Sequence, residues 1–176
     1  PEKAIVSLYV GRISKEKNID NLVKGMDLAM DQTPNLYALF VGKKTDQSLI
    51  QKEDLQHGDR MIFTGFVPEE ELPSYYCASD FFTSPSLNES SCFTIFEAMS
   101  CALPVITSKY RHDKEIQDKY NAILVGDLRN PRAIAHSIFY LTKNKATREA
   151  IGKRGKKLID SRSWSNHVQI FLKGVA

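Results

Sequence analysis

Cysteine is scarce in this sequence, and its pattern is uninformative for cross-linking: Cys77, Cys92 and Cys101 are odd in number and have no C-x-x-C spacing. A disulfide framework and a zinc site are therefore not expected, and a reducing, cytoplasmic setting fits best. The histidines His57, His112, His136 and His167 are scattered without H-x-x-H or H-E-x-x-H spacing, and there is no D-x-D pair, so no metal site is expected. No apolar run approaches the roughly 20 residues that span a bilayer, and no charged-then-apolar leader precedes the first strand pattern, so a soluble chain is expected. Charge of one sign is also weak, at a formal +3. Lys143, Lys145, Arg148, Lys153, Arg154, Lys156 and Lys157 form a basic run without interleaved aromatics. That reads as a solvated helix face and not as a nucleic-acid surface. Peripheral contact with an anionic membrane stays open where a substrate is lipid-linked. With 42% apolar and 26% charged residues among 176, disordered and collagen-like classes are excluded and one well-cored domain is expected.

Strand and helix patterns alternate along most of the chain. Residues 4–10, 36–41, 61–64, 80–84, 104–107 and 122–125 are short apolar runs rich in β-formers. Between the first two, Ile19, Leu22, Val23, Met26 and Met30 recur at helical spacing. A short polar helix is expected near Gln47 to Gln56. Another begins at Pro68-Glu-Glu-Glu, with proline at a tolerated first-turn position and acids on the positive helix end. Uniformly apolar strands separated by helices imply an α/β, doubly wound, Rossmann-like parallel sheet of six strands. The last third reads as helices over residues 133–141, 148–159 and 164–172. The chain starts three residues before its first strand with no initiator Met, so an excised domain with its N-terminal partner domain missing is the expectation.

Chemistry concentrates in Glu89-Ser-Ser-Cys-Phe-Thr-Ile-Phe-Glu97, which carries two carboxylates separated by seven residues. A helix beginning near Ser91 or Cys92 presents first-turn N–H groups and the positive end of its macrodipole, which favour a phosphate. Glu97, deeper in the helix, serves a different purpose. A carboxylate accepts hydrogen bonds from adjacent hydroxyls such as those of a ribose or pyranose, and Glu89 in the loop serves a second ring in the same way. A phosphate flanked by two polyols describes a nucleotide sugar. Spacing alone also admits a chance pair of surface glutamates.

In an open parallel sheet, ligands bind beyond the carboxyl ends of the strands. Polar residues collect there: Gly11-Arg12-Ile-Ser-Lys-Glu-Lys17 after the first strand, Gly42-Lys-Lys after the second, Gly65-Phe66-Val67 after the third and Ser84 to Glu89 after the fourth. Arg12 and Lys17 suit a diphosphate as fork donor and point charge. Tyr75, Tyr76, Phe81 and Phe82 read as core or half-buried packing, and Trp164 as the anchor of a last helix.

Residues 10–17, Leu39-Phe-Val-Gly42, Phe63-Thr-Gly-Phe-Val67, Ala78-Ser-Asp80, the paired glutamates with Glu97-Ala-Met99, Pro104-Val-Ile and Ser163-Trp164 together closely resemble the C-terminal, donor-binding domain of the group 1 (family 4) retaining glycosyltransferases of GT-B fold. The resemblance implies that Arg12 and Lys17 neutralise the diphosphate as the leaving group departs. It implies that Glu97 binds ribose, that Glu89 contacts the donor sugar, that the backbone N–H groups of Cys92, Phe93 and Thr94 hold a phosphate, and that Gly11 is among the substrate-binding residues. Phe66 and Val67 would border the base. No cofactor or metal is implied. The implied partners are a nucleoside-diphosphate sugar, with mannose favoured, a glycan or lipid-linked acceptor, and the missing N-terminal domain, without which this domain is expected to be inactive.

Three departures from the family pattern matter, and the first two bear on donor identity. Ser91 and Cys92 stand where glycine is frequent, Arg111-His112 replaces a Gly-Gly, and Ala102 replaces a common glycine. Two alternatives stay open: a nucleotide-sugar epimerase of the same fold, and a non-catalytic nucleotide-binding module.

Overall fold

The computed structural model describes residues 3–45, 50, 54–87, 93–109 and 114–162. The six strands are β1 (Ile5–Val10), β2 (Leu36–Val41), β3 (Met61–Gly65), β4 (Phe81–Ser84), β5 (Val105–Thr107) and β6 (Ile123–Leu124). All pair in parallel in the order β3-β2-β1-β4-β5-β6. The helices are α1 (Ile19–Asp31), α2 (Leu72–Cys77), α3 (Phe93–Ser100), α4 (Pro131–Lys143) and α5 (Lys145–Ser161). Single turns of 3-10 helix lie at Lys15–Lys17, Gly58–Arg60 and Glu69–Glu71, the last leading into α2. The expected doubly wound α/β sheet is therefore present. The polar helix expected around residues 47–56 and the helix at 164–172 lie largely or wholly outside the described residues. Among the described residues, no helix is long and apolar enough to cross a membrane.

Both faces of the sheet are covered, which is why the strands read as continuous apolar runs and not as alternating ones. Period-2 geometry sends Phe81 to one face and its neighbour Phe82 to the other. On the first face, Ile19, Leu22, Met26 and Met30 of α1 pack with Ile134, Ile138 and Leu141 of α4. On the second, Tyr76 of α2 joins Ile95, Ala98 and Met99 of α3. Helix α5 serves both, with Ile151 in the first cluster and Leu158 and Ile159 packed on the second. Side-chain caps start α4 and α5: Asn130 accepts from the Arg132 N–H and Asn144 from the Thr147 N–H, both at 3.0 Å.

A buried polar strap closes the amino-terminal edge of the sheet. Asp80 accepts from the Val6 N–H at 2.8 Å and pairs with Arg148 at 3.5 Å, while Arg148 also donates to the Leu141 carbonyl at 2.9 Å. Arg148 is only 8% exposed, so it does not belong to the solvated basic face expected from its neighbours. Aromatics also meet that run in space, although none is interleaved in sequence. Arg154 lies 4.9 Å over the Tyr120 ring, and Lys143 lies 4.6 Å over Phe139.

The carboxyl-terminal edge is held together by close backbone approach and by one amide. At Gly42, with φ at +139°, an added Cβ would lie 2.0 Å from the Gly11 carbonyl oxygen, so the loops leaving β1 and β2 touch only because no side chain separates them. Asn18 precedes α1 in the left-handed region, at φ 60°, with no exposed surface. Its side chain does not cap α1. Instead its amide donates to the Pro85 carbonyl at 3.0 Å and the Leu128 carbonyl at 2.6 Å, and its oxygen accepts from Asn21 at 2.8 Å. One residue thereby ties the loop after β1 to the loop after β4 and to the approach to α4.

Ala102, the residue standing where glycine is common, takes φ 58°, a conformation that costs a side-chain-bearing residue about 1–2 kcal/mol. Its carbonyl lies against α5, where an added Cβ at Gly152 would come within 2.0 Å of the Ala102 oxygen. Opposite effects on stability are expected at these neighbouring positions. In denaturant unfolding, Ala102→Gly should stabilise by about 1 kcal/mol, and Gly152→Ala should destabilise by about 1–3 kcal/mol. Asn18→Gly keeps the backbone conformation and removes only the amide, so a loss of about 1–3 kcal/mol is expected from the same measurement. Unchanged stability would show that the Asn18 bonds do not hold the loops.

Candidate functional site

The strand order reverses between β1 and β4, and the crevice beyond their carboxyl ends is where an open parallel sheet receives its ligand. Inside the sheet that junction is marked by a buried hydroxyl pair, Ser7 with Thr83 at 2.9 Å. Three segments singled out in the sequence lie at the carboxyl-terminal edge of the sheet, after β1, β3 and β4.

The loop after β1 carries the cations. Gly11 continues the sheet by donating to the Val41 carbonyl at 2.9 Å, and Ile13 donates to the Lys43 carbonyl at 3.0 Å. The Tyr9 hydroxyl donates to the Arg12 carbonyl at 2.8 Å, which fixes the backbone from which the guanidinium projects. The side chain of Arg12 is 64% exposed and meets Glu16 at 3.5 Å. Lys17 closes the 3-10 turn directly before Asn18. Both cations are therefore anchored through backbone, with Arg12 presenting its charge to solvent.

The loop after β3 begins at Gly65, whose carbonyl accepts from the Gly42 N–H at 2.8 Å. Phe66 is 78% exposed, while Val67 is half-buried and packs on the second core cluster. Helix α3 opens with Phe93, 70% exposed, and Thr94. Their N–H groups belong to a first turn, where helix geometry supplies no carbonyl partner four residues earlier. Glu97 lies one turn further on, on the exposed face of α3. Its Oε2 accepts from the Tyr76 hydroxyl at 2.7 Å, a bond that ties α3 to α2. Burial, followed by the bond to Glu97 and the charge there, pushes the Tyr76 hydroxyl well above the ordinary phenol range, so it stays protonated and donates.

Glu89, Ser91, Cys92, Arg111, His112 and Trp164 lie outside the described residues. Arg12, Lys17, Gly11, Phe66, Val67, Phe93, Thr94 and Glu97 all fall on loops or a helix start at the carboxyl edge. Two participants were not selected from the sequence. Asn18 reads as an ordinary helix-capping residue, and Tyr76 reads as packing, which its 3% exposure and its 6.0 Å contact with Phe82 bear out for the ring. The phenol oxygen has a second role that an apolar pattern conceals. Cys77 and Cys101 are exposed and not sheltered in apolar surroundings.

The chain matches the family model described as Glycosyl transferases group 1 over residues 1–158. It is 30% identical over 164 residues to the O-antigen chain mannosyltransferase B of Escherichia coli, covering 91% of this chain and 42% of that protein. It is 31% identical over 170 residues to the sulfoquinovosyl transferase SQD2 of Arabidopsis thaliana, covering 93% of this chain and 31% of that one. This chain thus spans less than half the length of these relatives. Among solved structures, the C-terminal domain of a group 1 glycosyl transferase from Francisella tularensis superposes with a TM-score of 0.78 at 24% identity, covering 92% and 88% of the two chains. The pneumococcal O-GlcNAc transferase GtfA, solved with UDP and GlcNAc, gives a TM-score of 0.82 at 22% identity, covering 98% of this chain and 35% of that one. The fold is that of GT-B C-terminal domains, and the chain belongs to the group 1 glycosyl transferase family.

Proposed function

We propose that this chain is the donor-binding domain of a retaining glycosyltransferase, and that it holds a nucleoside-diphosphate sugar at the crevice between β1 and β4. The observation that carries the reading is the placement of two cations and a carboxylate along one sheet edge, with Arg12 and Lys17 after β1 and Glu97 on α3 after β4. The cations suit a diphosphate, and the carboxylate suits the adjacent hydroxyls of a ribose. Arg12 and Lys17 bind the diphosphate and stabilise the charge that develops as the glycosyl bond breaks, the task a metal ion performs elsewhere, so the reaction is read as metal-independent. The first-turn N–H groups of Phe93 and Thr94, together with Cys92, hold a phosphate. Glu97 accepts the ribose hydroxyls, Glu89 orients the sugar, and the Gly65-Phe66-Val67 segment borders the base.

The acceptor hydroxyl, on a glycan or a lipid-linked carrier, is delivered by a second domain of the same protein, without which donor binding proceeds but transfer does not. Mannose is the proposed sugar, in line with the Escherichia coli relative, while the sulfoquinovosyl relative shows how readily this family varies the donor. A cytoplasmic location follows from the donor, with membrane contact where the acceptor is lipid-linked.

Calorimetric titration of this chain with GDP, UDP, ADP and their hexose conjugates, with chelator present, is expected to give saturable binding of one nucleotide series. The double substitution Arg12→Ala, Glu97→Ala should weaken that binding by at least about a hundredfold, because each position removes a charge-assisted contact. Undiminished binding in the double variant, or no nucleotide bound by the parent chain at millimolar concentration, would sink the donor-site reading. Abolition of binding by chelator would refute the metal-independent part alone.

A further inference from the structure

The bond between Tyr76 and Glu97 does more than a buried phenol requires. A buried Tyr hydroxyl needs one partner, and a backbone carbonyl meets that need. One is close: the Thr94 carbonyl oxygen lies 3.5 Å from the Tyr76 oxygen. The hydroxyl instead donates at 2.7 Å to a carboxylate on the exposed face of α3. The Tyr76 ring is fixed independently, 3% exposed and tilted against the fully buried Phe82 at 6.0 Å between centroids. A rigid donor rooted in the core therefore grips one oxygen of a side chain that solvent would otherwise leave mobile.

We propose that Tyr76 is a positioning residue that sets specificity for ribose. By holding Oε2 of Glu97, it fixes the rotamer that presents Oε1 to the adjacent 2′ and 3′ hydroxyls of a nucleoside diphosphate. This rests on the donor-site reading above and adds to it a reason why the carboxylate is already in place before ligand arrives. An ionised carboxylate has about four acceptor positions, so one bond to Tyr76 leaves enough for a vicinal diol. An exposed glutamate without that bond must be ordered on binding, and preorganisation removes that cost. Because Tyr76 keeps its proton, it donates to Oε2 and does not compete with the carboxylate for the ligand's hydroxyl donors. The consequence is discrimination: affinity gained through Glu97 applies only to a sugar that carries the diol.

The test compares the best-binding nucleoside diphosphate with its 2′,3′-dideoxy analogue by calorimetry, in the parent chain, Tyr76→Phe and Glu97→Ala. Tyr76→Phe keeps the ring against Phe82 and removes only the donor. The parent is expected to prefer the ribonucleotide. Tyr76→Phe should lose about three- to tenfold in affinity for it, with little change for the dideoxy analogue, so that the preference shrinks toward that of Glu97→Ala. A merely structural role would weaken both ligands equally or neither, and a preference unchanged in Tyr76→Phe overturns the proposal. Should Tyr76→Phe fail to fold, Tyr76→Met fills the same buried site with a flexible apolar side chain and no donor, and the preference is read in that variant by the same criterion. A parent chain that binds neither ligand, or that ignores Glu97→Ala, refutes the donor-site reading itself and takes this inference with it.

Discussion

The Asn18 amide lies where the loop after β1, the loop after β4 and the approach to α4 come together, and its two N–H donors are used on the Pro85 and Leu128 carbonyls. No other side chain combines the requirements of that position. The backbone is left-handed, which Asn tolerates and most residues do not. The carbonyls on two sides need donors, and the Asn21 amide needs an acceptor. An amide supplies two donors and one acceptor from a single planar group. In exchange, α1 begins without a side-chain cap, and its stability comes from burying Ile19, Leu22, Val23, Met26 and Met30 against the sheet and α4. This trade fixes the spacing of the loops at the carboxyl-terminal edge, so the geometry of the candidate site depends on a residue that is itself fully buried.

The fold was legible in the sequence because a parallel sheet buried on both faces leaves an unmistakable trace. Each strand is a short apolar run that ends in glycine or a polar loop, and the six runs expected from that pattern coincide with the six strands to within about two residues, as boundary assignments generally do. The site was legible to the extent that its chemistry is carried by charge. Arg12 and Lys17 stand out as cations directly after a buried strand, and Glu97 as a lone carboxylate within an apolar helix pattern, and all three fall at the carboxyl-terminal edge of the sheet. Residues that act through hydrogen bonds to backbone or to one another did not stand out. Asn18 looks like a cap, Tyr76 like filler, and Arg148 like one more lysine-rich surface position. Each is distinguished only by a partner far away in sequence: 67 positions for the Asn18 bond to Pro85, 21 for Tyr76 to Glu97, and 68 for Arg148 to Asp80. Local patterns carry no information about contacts of that range.

Stability and recognition are separated along the strand axis. At the amino-terminal edge, Asp80 and Arg148 are 33% and 10% exposed and bonded to backbone as well as to each other, so losing Asp80 strands the buried guanidinium of Arg148. At the carboxyl-terminal edge, the Arg12 and Glu16 side chains are 64% and 72% exposed and meet at 3.5 Å. A solvated pair of that kind is worth about 0–1 kcal/mol. The contrast has a functional consequence under the donor-site reading. A diphosphate offers a guanidinium more charge and bidentate geometry than Glu16 does, and the small cost of breaking the exposed pair does not oppose the exchange. Glu16 is thus suited to holding Arg12 near its working position without competing with the ligand for it. Where the protein needs permanence it buries the ion pair and adds backbone partners, and where it needs exchange it leaves the pair in water.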